Sequence, residues 1–324
     1  MLQLPVSFLH TSAAAPESLI APDPDTFRCS YRLAYETDTR ADLDAEVLAC
    51  LRFGRSAETA RDPRQVDVSL TQLGSVPVRE VWRSRLPVQH GWAEDVGFAH
   101  NGEVLFGHLR LAQPDSADIT AATTQAYLRI DRLQRQLGYP FGLRMWNFLP
   151  DINRGEGDAE RYRQFNRGRH DSHALKSGFE RSLPAATAIG THDGSMTVGF
   201  LAARAPGQQV ENPRQLSAFH YPARYGPRSP SFSRALLKHW PDGIHLFVSG
   251  TASIVGHRSL HPDDPLMQLE ETFRNLQALL QQAAARQPAA GAFRAVALRI
   301  YVRHQDLRRL LLARATALFG VDVP

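Results

Sequence analysis

The stretch that decides the fold is VLFGHLRLAQPDSADITAATTQAYLRIDRLQRQLGYPFGLRMWNFLP, residues 104–150. It opens on an alternating segment, Val104–Leu111, that reads as a strand. A helix follows over roughly Asp118–Leu137, because Ile119, Ala122, Ala126, Ile130, Leu133 and Leu137 recur at steps of three and four and so share one helical face. Gly138 is a stop signal, and a second apolar run, Leu143–Leu149, ends at Pro150.

The same order returns further along. Ile244–Ile254 reads as a strand and leads through Asp263-Asp264 into a helix over Pro265–Ala284, with Leu266, Leu269, Phe273, Leu276 and Leu280 on one stripe. A Pro- and Gly-containing break at 288–291 precedes a strand Ala295–Val302 and a last helix, Gln305–Leu318, which carries Leu307, Leu311, Ala315 and Leu318 inward. Strand, helix, strand twice over implies an internal duplication at the level of structure. The expected fold class is α/β (α+β), two units that are each a mixed sheet with helices on one face. The expected division is residues 1–150 and 151–324, the second half carrying the ligand-binding loops. Between the copies, Asp151–Trp240 is rich in Arg, Gly, Pro, His and Ser and shows one clear strand, Met196–Ala203; loops on a rigid scaffold are where sites are found.

With 324 residues, 43% hydrophobic and 22% charged, the chain can bury a sizeable core and is not globally disordered. Lys and Arg total 37 against 33 Asp and Glu, a net +4, and Lys176 and Lys238 are the only lysines. Acidic residues are interspersed and no block of like charge marks a nucleic-acid-tracking tail, so no nucleic-acid partner is expected. Two cysteines, Cys29 and Cys50, exclude a disulfide scaffold and a Cys-based zinc module. The opening MLQLPVSFLH lacks a basic n-region and a continuous apolar core, and no apolar run approaches ~18 residues. A cytoplasmic protein without signal peptide or membrane span is the expectation.

RYRQFNRGRHDSH (161–173) packs four arginines, Tyr162 and Phe165 into its first nine residues. A guanidinium fork matches carboxylate and phosphate oxygens, so the cluster suits an acidic ligand; its plainer reading is a solvated arginine-rich helix start. HYPARYGPRSPSFSRA (220–235) is a second concentration of Arg and Tyr, on a loop that prolines restrain. SGTASIVGH (249–257) offers small residues and hydroxyls that let a ligand approach the backbone, without the lysine or glycine spacing of a P-loop. The pairs His170/His173 and His257/His261 have metal-like spacing, but among 13 histidines such pairs arise by chance and no HExxH accompanies them. No metal is expected. Serine-hydrolase elbows and GxGxxG loops are absent from the sequence.

Three motifs in order, RMWNFLPDINRG…ERYRQFNRGRHDSH, HYPARYGPRSPSFSRA and HLFVSGTASIVGH, resemble the chorismatase family over roughly Leu86–Val323. Within that likeness, GPRSPSFSRA…LFVSGTAS, QLEETFRNLQALLQQA and ALRIYVRHQDL resemble successive blocks of the reactive-intermediate deaminase (Rid, YjgF-like) fold. The resemblance implies an enzyme converting chorismate to pyruvate plus 3- or 4-hydroxybenzoate or a dihydroxycyclohexadiene carboxylate, with no metal or organic cofactor. The alternative is a non-catalytic Rid-like chorismate-binding or interaction protein. Tyr162, Arg169, Tyr221 and Arg234 are implied as substrate contacts, and Ala252 as a position that influences which product leaves. The family's catalytic glutamate is expected on a strand beyond Pro324, so no catalytic residue is assigned within the chain. A monomer or a homotrimer is implied.

Overall fold

The computed structural model describes residues 4–10, 28–33, 43–54, 62–73, 78–112, 118–191, 194–241, 243–288 and 293–319. Four strands make a small sheet in the order β2-β5-β3-β4, where β2 is Arg28–Leu33, β3 Val47–Phe53, β4 Gln65–Val68 and β5 Val78–Arg83. The preceding strand, β1 (Leu4–His10), joins a sheet built from the far end of the chain.

A six-stranded sheet follows, in the order β10-β9-β11-β8-β7-β6. Its members are β6 (Gln89–Ala93), β7 (Val96–His100), β8 (Val104–Leu111), β9 (Phe141–Pro150), β10 (Ala185–Thr191) and β11 (Met196–Ala203). Helix α1 (Ile119–Gln136) crosses between β8 and β9; the Asp118 carboxylate accepts from the Ala121 amide at 3.0 Å, and Gly138 takes φ +79° just past its end. Its apolar stripe and Phe165 of α2 (Arg161–His173) pack on Leu105, Leu109, Met196 and Phe200. The two helices approach closely at Gly168, where a Cβ would stand 2.3 Å from the Thr120 carbonyl oxygen. Strand β9 is buried on both faces, with Met145 and Leu149 towards the helices and Trp146 and Phe148 towards the small sheet, which is why its sequence runs apolar rather than alternating.

The third sheet has the order β12-β13-β14-β1-β17, from β12 (Gln208–Val210), β13 (Ala235–Trp240), β14 (Gly243–Thr251), β1 and β17 (Arg294–Leu298). A two-strand turn, β15 (Ile254–Val255) with β16 (Arg258–Ser259), follows β14. Helices α3 (Pro265–Ala285) and α4 (Arg308–Phe319) cover this sheet through Leu269, Leu276, Leu279, Leu311 and Ala315. Each fully buried side chain of this size contributes roughly 1.5–3 kcal/mol.

The two larger sheets repeat one plan. A three-strand meander (β6-β7-β8 or β12-β13-β14) leads through a helix to a strand (β9 or β17), with one antiparallel strand inserted between. In the first sheet the inserted strand is β11; in the second it is β1. The expected mixed α/β fold with helices on sheet faces is what the structure has. The expected cut at residue 150 falls inside the first sheet: β9 and β10 are parallel neighbours in register from Arg144↔Ala185 to Pro150↔Thr191. Backbone pairing therefore groups residues 89–203 as one sheet unit. The expected strand Ile244–Ile254 breaks after Thr251, and Ala295–Val302 ends as a strand at Leu298. The region 151–240, expected to hold one strand, also contains α2, β10, β12 and β13.

Candidate active site

Ser249 stitches the two units together. Its hydroxyl accepts from the Ala186 amide of β10 at 2.8 Å and donates to the Ser233 carbonyl, so the end of β14 is tied to the edge of the first sheet. This explains the small residues of SGTAS: backbone meets backbone there. Beside the seam lies a cavity of about 1270 Å³, walled by Tyr162 and Asn166 of α2, Ala188–Thr191, Tyr221, Phe232, Arg234, Gly250, Ala252 and Leu298–His304.

Arg234 stands just before β13 and is 5% exposed. Its Nη2 donates to the Leu216 carbonyl at 2.6 Å and to the Tyr221 hydroxyl at 3.0 Å, while its backbone amide donates to Glu211 Oε1 at 3.1 Å. Its Nε is buried without an acceptor. A buried guanidinium N–H calls for one, and a ligand carboxylate at the cavity wall would supply it. The guanidinium also lies over the rings of Tyr221 and Phe232, at 5.6 and 5.4 Å.

The loop that holds Arg234 is fixed from α3. Asn275 Nδ2 donates to the carbonyls of Ala252 and Ile254 at 2.9 and 2.8 Å, and the Asn275 carbonyl accepts from Asn212 at 2.8 Å. Arg214 donates to Asn275 Oδ1 at 2.8 Å and to Glu271 Oε1 at 2.5 Å. Arg214 and Arg274 together hold the Glu271 carboxyl below its ordinary range against the opposing effect of burial. Gln268, Glu271, Thr272 and Asn275 thus form a buried polar face on α3.

Of the residues expected as ligand contacts, Tyr162, Tyr221 and Arg234 line the cavity, as does Ala252. Arg169 differs. It is 1% exposed, absent from the wall, and its Nη2 donates to Asn166 Oδ1 at 3.0 Å, with the guanidinium over Phe165 at 4.8 Å and Phe232 at 5.9 Å. It reaches the cavity through Asn166 and Phe232, which it shares with Arg234. Arg169 is held inward by its contacts with Asn166, Phe165 and Phe232.

His170 and His173 pack on the Phe179 ring, at 5.5 and 6.1 Å between centroids, and burial pushes His173 down to about 3. His257 contacts Arg224 and Tyr225, each at 3.0 Å. Among the described residues no three His, Cys, Asp or Glu side chains converge as a metal site would need, and no helix is long and apolar enough to cross a membrane. The family position beyond Pro324 lies outside the described residues.

The arrangement is that of an α/β protein with a partly open cavity that has Arg234 and Arg299 in its wall. Residues 80–202 match the profile described as the N-terminal part of FkbO/Hyg5-like chorismatases. The chain is 36% identical over 255 residues to a 3-hydroxybenzoate synthase of Streptomyces hygroscopicus, covering 75% of this chain and 74% of that one. It is 37% identical over 261 residues to a chorismatase of the same organism, covering 75% of each chain. A crystal structure of a chorismatase superposes with a TM-score of 0.78 at 30% identity, covering 90% of this chain and 89% of that one. The chain belongs to the chorismatase family.

Proposed function

We propose that this protein is an enzyme of the chorismatase type that converts chorismate to pyruvate and a hydroxybenzoate. The observation that carries the reading is the similarity to 3-hydroxybenzoate synthase and chorismatase over three quarters of the chain. The cavity agrees with it. Chorismate carries two carboxylates, and Arg234, with its buried unpartnered Nε and its bond to Tyr221, is a built donor for one of them. Tyr162 and Asn166 approach the ligand from α2, and Arg169 holds Asn166 in place.

The chemistry is enol-ether cleavage. A proton adds to the enolpyruvyl methylene carbon, and the positive charge falls on the carbon bearing the ether oxygen. Breaking the ether link yields pyruvate, whose methyl group carries the added proton, and the ring loses a proton as it becomes aromatic. Formation of pyruvate plus a hydroxybenzoate conserves the atoms of chorismate with no net water, oxidant or reductant. Phe232, Ile189, Leu298 and Ile300 give the wall an apolar part beside the charged intermediate.

Incubating the protein with chorismate should release pyruvate, measured by coupling to lactate dehydrogenase, together with an equal amount of hydroxybenzoate, identified by mass and retention. Chorismate left intact, or consumed without pyruvate, would contradict this reading.

A further inference from the structure

Glu80, Arg299 and Tyr301 come from opposite ends of the chain and meet in the cavity wall. Glu80 lies on β5 and is 1% exposed. Its carboxylate pairs with Arg299, Nε to Oε2 at 2.8 Å and Nη2 to Oε1 at 3.1 Å, and Oε1 also accepts from Trp82 Nε1 at 2.8 Å. The Arg299 guanidinium lies against Phe53 and Trp146, at 5.4 and 5.5 Å, so few directions are open to it. Behind it, burial and the Arg299 charge push Arg144 down to about 9. Arg299 Nη1 donates to the Tyr301 hydroxyl at 2.8 Å.

That last bond fixes the direction of a proton. A guanidinium donates only, so the phenol oxygen is the acceptor and the Tyr301 O–H must point elsewhere. Among the described residues it has no acceptor, and burial raises the phenol above its ordinary range, so the proton stays on. Sheet register shows where this group stands relative to Arg234. Leu298, Val6, Val248 and Ala235 form one row across β17, β1, β14 and β13. Arg299 follows Leu298 and Arg234 precedes Ala235, and β17 and β13 run in opposite directions. Both arginines therefore leave the same end of the sheet, three strands or about 14 Å apart at ~4.8 Å per strand.

We propose that Tyr301 is a second ligand-binding residue, donating its hydroxyl proton to a carboxylate of a dicarboxylate whose other carboxylate is held at Arg234. Arg299 and Glu80 are its positioning residues. The chorismate identity of that ligand rests on the function proposed above; the carboxylate contact itself does not.

The test uses Tyr301→Phe, which removes one oxygen and leaves the ring packing. Two readouts are taken on the full chain: steady-state pyruvate release from chorismate, and calorimetric binding of 3-hydroxybenzoate and of pyruvate. A hydrogen bond to a charged group corresponds to about 10- to 100-fold in affinity. The expected result is a rise of at least about tenfold in KM for chorismate, with the unfolding midpoint unchanged and a similar loss for one of the two probes only. Glu80→Gln in the Tyr301→Phe background should add little, because both changes remove one contact. Parent-like KM together with parent-like binding of both probes would overturn the proposal. A parent chain that binds 3-hydroxybenzoate or pyruvate through Tyr301 yet releases no pyruvate from chorismate would refute the function and uphold the contact.

Discussion

The two sheet units share one plan and differ in how they are completed. In the first, the inserted strand is β11 (Met196–Ala203), which comes after both its partners β8 and β9 and within the same run of chain, is buried throughout, and pairs with β8 without interruption from Val104↔Ala203 to Leu111↔Met196. In the second, that place is taken by β1, more than 200 residues from β14 and β17, and its pairing shifts register between Leu4 and Val6 and between Ser7 and Phe8. The first unit is closed by local chain and filled by side chains. The second is closed from a distance, and it is at the end of this sheet that Arg234 and Arg299 stand. A sheet completed by a remote strand carries a larger loop-closure cost and a slower folding step.

The sharpest way to break that contrast is to delete residues 1–10. This strips the central partner from β14 and β17 and leaves two unpaired edges over the α3–α4 core. The loss should be on the order of a unit's whole stability, about 5–15 kcal/mol, and pyruvate release should vanish. Size-exclusion chromatography and circular dichroism of the shortened chain check this; a monodisperse, fully active product would show that β1 does not complete the sheet.

Acid should act on the first unit before the second. Burial pushes His108 of β8 down to about 4 and His173 of α2 down to about 3, so both are neutral when folded, whereas in the unfolded chain they protonate near pH 6.5. Their stabilisation is thus complete above pH 6.5 and is lost progressively as the pH falls towards 4–3. For each of the two the loss is about 2 kcal/mol at pH 5, because both folded values lie well below that pH. Hydrogen exchange at pH 5 should find the amides of β8 and β11 opening before those of β13 and β14.

Gly168→Ala places a Cβ 2.3 Å from the Thr120 carbonyl oxygen and must push α2 off α1. About 1–3 kcal/mol of destabilisation is expected from the overpacking, read as a lower unfolding midpoint. Because α2 also carries Tyr162, Asn166 and Arg169, KM for chorismate should rise with it. The smallest expected effects come from paired arginine changes. Arg234→Lys loses the fork at the wall and should raise KM about tenfold, with a lower unfolding midpoint as well because the bond to the Leu216 carbonyl is weakened. Arg169→Lys, at a buried position off the wall, should lower the unfolding midpoint and move KM less. Equal KM effects from both variants would show that Arg169 also touches the ligand.

Much of this was legible in the sequence. Strands Val104–Leu111 and Met196–Ala203 and the helices beginning at Ile119 and Pro265 lie where pattern and caps put them, because the helices bury one regular apolar face and the strands are short apolar runs buried on both faces. Three of the four expected contacts line one cavity although Tyr162 and Tyr221 lie 59 positions apart. Three things were hidden. Gln268, Glu271, Thr272 and Asn275 are polar and stand off the apolar stripe of α3, yet they are buried, with Arg214, Asn212 and the 252–254 backbone bonded to this face. Pairing of β1 with β14 and β17 is a long-range choice that local pattern does not encode. The Glu80–Arg299 pair joins segments 219 residues apart, and neither the mixed VREVWR of β5 nor the ALRIYV stretch around Arg299 names the other as its partner.

The most direct measurement is turnover of chorismate in deuterated water, with mass analysis of fresh pyruvate. Protonation of the enolpyruvyl methylene from an exchangeable group requires a pyruvate methyl carrying one solvent deuterium, formed in equal amount with hydroxybenzoate. Pyruvate without solvent deuterium would contradict it, since the hydrogen would then have come from the substrate's own carbon framework.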